Sequence, residues 1–209
     1  MINIILITFL ITLFYVAIAN RLMTYVKALA FQGVLLFGAA FIRLSEINTL
    51  NLVLILMETI FFKSVAVPLI LATLLKRNKI TREAEPFLPS FMSLIIVTTI
   101  VVLTLFLVNS IPDALSGTMF FVVALSALFT GVFIIVSRRK IITHVMGYLI
   151  IENGVFILSM ALGSEMTLLV NIGIMMDIFV SVLVLGIFAN RIGDTFEEMS
   201  IDNLTGLKD

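Results

Sequence analysis

The chain has 209 residues, of which 61% are hydrophobic and 12% charged; its mean hydropathy is +1.24. A soluble domain is only about half apolar, so an integral membrane protein is expected. Thirteen basic residues balance thirteen acidic ones, which argues against nucleic acid as a partner. With no cysteine and one histidine, the chain lacks the thiolates of iron-sulfur clusters and the ligand sets of zinc or bis-histidine haem sites; palmitoylation is excluded too. Any redox chemistry belongs to another polypeptide, and no cofactor is expected in this one.

Apolar runs of spanning length follow one another at 2–19, 25–42, 50–75, 90–108, 118–136, 141–162 and 166–189. The first ends in Ala17-Ile18-Ala19, which imitates a signal-peptidase site, but no positive residue precedes it and Arg21 and Lys27 follow. That pattern reads as a retained first helix. The third run carries Glu58, Lys63 and an interior proline, Pro68. The connection after it, 76–89, is charged and contains Pro86 and Pro89. It joins a three-helix N-terminal part (1–89) to a four-helix C-terminal part (90–192), and a polar tail (193–209) follows. Neither part could shield its own charges, so the joint is not expected to separate independent domains.

Basic residues sort by side. Arg21, Lys27, Lys76, Arg77, Lys79, Arg82, Arg138, Arg139, Lys140, Arg191 and Lys208 fall on alternate connections, against Arg43 on the other face. The positive-inside rule then places the N-terminus outside and the tail in the cytoplasm. The fold expected is all-α, a polytopic membrane protein of seven spans in the cell (inner) membrane.

Four ionisable side chains interrupt these runs: Glu58, Lys63, Glu152 and Asp177. Each costs roughly 2.5–3.5 kcal/mol near a helix centre, about 10–14 kcal/mol together, as much as the whole stability of an ordinary domain. At 1.5 Å of rise per residue, Glu152 lies about 18 Å from Lys140, Asp177 about 21 Å from Arg191 and Lys63 about 20 Å from Lys76. These three share a layer near the middle of the membrane, with Glu58 further out at about 27 Å. The loop at 163–165 is short, so the last two helices should pack antiparallel with Glu152 and Asp177 as neighbours.

His144, Tyr148 and Glu152 recur every four residues and form one stripe. Gly173, Asp177 and Ser181 repeat that spacing on the seventh run. A proton path needs groups that exchange within hydrogen-bond reach or through water. Glu152 and Asp177 are candidate carriers, Lys63 would adjust their charge, and His144 or Tyr148 would feed them. Pro68 removes one backbone bond beside Lys63, which reads as a helix break, a hinge or a hydrated pocket. Glu58 and Lys63, five apart, sit about 140° around an α-helix, so each is expected to meet a different partner.

Plainer readings stand beside these. Glu58 can serve as helix glue, His144 as an interfacial residue beside the basic connection, Tyr148 as packing and Pro68 as a tolerated kink. The methionines are apolar filler.

The run HVMGYLIIENG (144–154), the run LLVNIGIMMDIF (168–179) and the tail IDNLTGLKD (201–209) resemble the E component of hydrogenase-4 and related formate hydrogenlyase complexes. The likeness extends over the seven-helix plan and includes the buried lysine and proline of the third helix. More distantly, residues 118–191 are similar to the K subunit of complex I and the C subunit of Mrp-type antiporters, which carry an acid in each of their last two helices. Asp177 matches the second acid. The first departs, because the family's Gly-Leu-Glu reads Gly147-Tyr148-Leu149 here and the acid stands one turn on, at Glu152. Asn171 departs as well, at a place where the hydrogenase-4 relatives often carry an acid.

The resemblance implies a non-catalytic membrane-arm subunit of a [NiFe]-hydrogenase-type oxidoreductase complex. It would lie between antiporter-like subunits and the membrane base of the hydrogenase module, with nickel-iron and iron-sulfur centres in partner subunits. It would couple their chemistry to proton or sodium movement. Two alternatives are an Mrp-type cation/proton antiporter subunit with no redox partner, and a structural spacer whose charges only hold neighbours.

Overall fold

The computed structural model describes residues 1–43, 49–77, 87–110 and 118–161. Asp177, the run 168–179, the seventh apolar run and the tail lie outside the described residues.

All described elements are helices: α1 (Ile2–Ile18), α2 (Leu22–Arg43), α3 (Thr49–Leu56), a π-helical segment (Met57–Ala66), α4 (Val67–Arg77), α5 (Ser90–Asn109), α6 (Thr118–Ser137) and α7 (Ile141–Ala161). α3, the π segment and α4 together occupy the third apolar run, so the first six runs are helical to within a few residues. Among the described residues, four helices are long and apolar enough to cross a membrane, namely α2, α5, α6 and α7 over Ile142–Ala161.

The chain turns where the apolar signal stops. α1 ends as Ala19 adopts an extended backbone (φ −69°, ψ 132°), two residues before Arg21. α5 begins after Pro89 (φ −56°, ψ 149°), whose ring suits the entry of a helix but not its interior. α1 packs against α2, α5 and α6, and α2 bridges α1, α7 and the third run.

α6 and α7 lie closest together, and glycine makes this possible. A Cβ on Gly131 would stand 2.7 Å from the Gly147 carbonyl oxygen, and one on Gly154 3.0 Å from that of Ala124. Small residues of this kind let helices approach through their backbones, as membrane helices do. Across α5 and α6, Thr104 and Ser126 add a buried hydroxyl pair at 2.8 Å.

Burial is inverted relative to a water-soluble bundle. Gln32, Glu58, Lys63, Arg138, Glu152 and Asn153 are all buried, while Phe106 is 75%, Phe91 69% and Ile4 68% exposed. α5 buries only a narrow stripe that includes Ser93, Val97, Thr104 and Val108. A soluble monomer does not carry so continuous an apolar surface.

Candidate functional site: a buried cluster of three charges

Two elements supply the charges. Glu58 and Lys63 come from the π segment and Glu152 from α7, and all three are buried. Lys63 Nζ lies 3.6 Å from Glu58 Oε1 and 3.3 Å from Glu152 Oε1. The same ammonium sits 5.2 Å from the centre of the Phe156 ring, one turn beyond Glu152, where the ring face attracts a cation.

The expectation that Glu58 and Lys63 point apart is overturned, and the cause is helix type. An α-helix sets positions five apart on different faces, whereas a π-helix bonds residue i to i+5 and so stacks them. The Val67 N–H donates to the Phe62 carbonyl in this wider register. Pro68 follows at once and has no N–H to offer either Ser64 or Lys63, four and five residues back. The sequence reading placed a helix break at Pro68; the structure shows a widened turn immediately before it.

Packing holds the widened turn against α2. Ser64 Oγ donates to the Ala30 carbonyl at 2.9 Å. At Gly33, a Cβ would meet Ser64 N at 2.7 Å and Ser64 Cα at 2.9 Å, so only glycine admits the π segment this closely.

Beside the ion pairs is a small cavity, with about 20 Å³ that water centres can occupy, lined by residues that include Lys63, Glu152, Asn153 and Phe62. Among the described residues, no group of three His, Cys, Asp or Glu side chains is arranged to hold a metal ion.

The structure does not bring His144 to this cluster. It lies eight residues, about 12 Å along the helix, before Glu152, is half-buried, and donates from Nε2 to the Arg138 carbonyl at 2.8 Å. Tyr148 is half-buried on α7 between the two. Arg138, grouped by sequence with a basic connection, is only 2% exposed. Its Nη2 donates to the Ala17 carbonyl at 2.7 Å, placing a cation at the negative end of α1, and its charge acts on the buried Tyr25 hydroxyl.

Sequence reasoning passed over three neutral groups whose hydrogen bonds lead to the charges: Thr12, Gln32 and Asn153. Asn153 Nδ2 donates to Gln32 Oε1 at 3.0 Å, and Gln32 Nε2 donates to Thr12 Oγ1 at 2.8 Å. A polar amide inside an apolar run was the available signal.

Charges and amides turned inward, with isoleucine and phenylalanine turned outward, define an all-helical membrane protein built around an internal ion-pair cluster. The chain is similar to hydrogenase-4 component E of Escherichia coli (strain K12), with 34% identity over 128 residues, 60% of this chain. The match spans 59% of that protein's own length. It is also similar to the uncharacterized protein Rv0085 of Mycobacterium tuberculosis, with 22% identity over 187 residues, 88% of this chain and 85% of the relative. Neither a family model nor a solved structure matches.

Proposed function

We propose that this chain is a membrane-arm subunit of a hydrogenase-4-type complex, and that its buried charges carry protons, or sodium ions, moved in step with redox chemistry in other subunits. The observation that carries the reading is the meeting of Glu58, Lys63 and Glu152 away from solvent. Among the described residues, two carboxylates and one ammonium, all ionised, leave one excess negative charge. A single proton or monovalent cation neutralises it. A site that differs by one charge between two balanced states is suited to passing that charge on, because neighbouring titrations become coupled.

In this reading the chain crosses the membrane seven times, with its N-terminus outside and its tail in the cytoplasm. Asp177 on the seventh span is the next carrier after Glu152. His144 and Tyr148 connect the cluster to the cytoplasmic face along α7. The partners would be antiporter-like membrane subunits and the membrane base of the hydrogenase module, which would hold the nickel-iron and iron-sulfur centres. Similarity to hydrogenase-4 component E supports the assignment to such a complex.

A static clamp is the competing reading, because Lys63 bridges two acids as a clamp would. Reconstituting the complex with Glu152→Gln or Glu58→Gln separates the two. Ion movement per turnover falls at least about tenfold with subunits assembled if the groups carry charge, as expected for loss of a required proton-transfer group. Unchanged ion movement with weakened assembly establishes the clamp instead.

A further inference from the structure

A run of neutral hydrogen bonds crosses α1, α2 and α7 beside the ion pairs, and its direction is fixed from one end. Thr12 Oγ1 donates to the Phe9 carbonyl at 2.6 Å. A backbone carbonyl only accepts, so the hydroxyl proton of Thr12 is committed there. The Thr12 oxygen can then only accept from Gln32, which turns its NH2 to Thr12 and its carbonyl oxygen to Asn153. Asn153 has to answer with its own NH2. Each amide orientation follows from donor and acceptor chemistry, although its two end atoms are nearly equal in size.

Asn153 also lines the cavity with Lys63 and Glu152. With its NH2 committed to Gln32, it offers that cavity its carbonyl oxygen. The cavity's volume of about 20 Å³ exceeds the roughly 10–15 Å³ that one water requires, and a buried water typically has about three polar partners.

We infer that this cavity is a site for one ordered water, which accepts from the Lys63 ammonium and donates to the Glu152 carboxylate and the Asn153 carbonyl oxygen. Thr12 and Gln32 are positioning residues that hold Asn153 in the required orientation. Turned the other way, Asn153 would set an N–H donor beside the ammonium, and the water would lose one acceptor. The inference deepens the proposed ion-carrying role by placing a water beside the Lys63–Glu152 pair, yet it stands on hydrogen-bond chemistry and is testable without measuring ion movement.

The test is cryo-electron microscopy of the assembled complex, at a resolution that shows waters, for the parent, Thr12→Ser, Thr12→Val and Gln32→Met. The expected result is a water within hydrogen-bond distance of Lys63, Glu152 and Asn153 in the parent and in Thr12→Ser. In Thr12→Val, which keeps the side-chain shape but loses the hydroxyl, that water should be lost or displaced. Gln32→Met is read the same way should Thr12→Val fail to assemble. An empty cavity in the parent, or an unmoved water in the variants that do assemble, overturns the inference. If the water behaves as expected while Glu152→Gln leaves ion movement intact, the ion-carrying role falls and the water site stands.

Discussion

Gly33→Ala is the sharpest test of how the third run is held. The added methyl carbon would lie 2.7 Å from the Ser64 nitrogen, 2.9 Å from its Cα and 3.0 Å from the Lys63 carbonyl carbon. All three are backbone atoms, so no side chain can swing aside. Restoring an ordinary contact of about 3.4 Å requires α2 and the π segment to part by about 0.7 Å, and overpacking on this scale costs about 1–3 kcal/mol. The same parting strains the bond from Ser64 to Ala30. Gly38→Ala is the control, because its methyl meets only the flexible end of Ile5, at 3.3 Å. Detergent-driven unfolding in mixed micelles should show Gly33→Ala losing about 1–3 kcal/mol and Gly38→Ala close to the parent. Equal stability of the two variants would refute the backbone-contact argument.

Three further outcomes follow from the same geometry. Lys63→Met should destabilise by about 3–5 kcal/mol, since it removes the cation that Glu58 and Glu152 share, and adding Glu58→Gln should recover part of that loss in a double-mutant cycle; strict additivity would count against the pairing. Arg138→Met should cost about 1.5–3 kcal/mol for its charged hydrogen bond to Ala17, read by thermal unfolding of the solubilised protein. Thr104→Val should cost about 0.6 kcal/mol, the average for a hydrogen bond between membrane helices, and a loss several times larger would show that the α5–α6 contact depends on its hydroxyls.

Hydropathy located the helices because lipid leaves little choice: backbone polar groups have to be satisfied within each span. Run boundaries therefore sit where Arg21, Arg43, Pro89 and Arg138 interrupt the apolar pattern. Lys63 and Glu152 were legible as members of one layer because charge is conspicuous in such a sequence; that they pair came from the structure. The pairing of Glu58 was not, because it depends on a π register that periodicity of 3.6 cannot anticipate. That register reflects the missing N–H of Pro68 together with the vacant side-chain position at Gly33, thirty residues from Lys63. Gln32 and Asn153 stayed hidden for another reason: an amide carries no net charge that demands a partner of opposite sign, and its importance emerges only when donors and acceptors are followed in space. Arg138 was read only as one of the basic residues of a connection, which gave no hint of its burial.

The widened turn of the third run has a consequence for how this chain tolerates change in length. Removing one residue between Glu58 and Lys63 would leave them four apart, the spacing at which a narrow α-helix already sets two side chains on one face. The shortened run could thus keep its pair by exchanging one winding for the other, whereas adding a residue would defeat both.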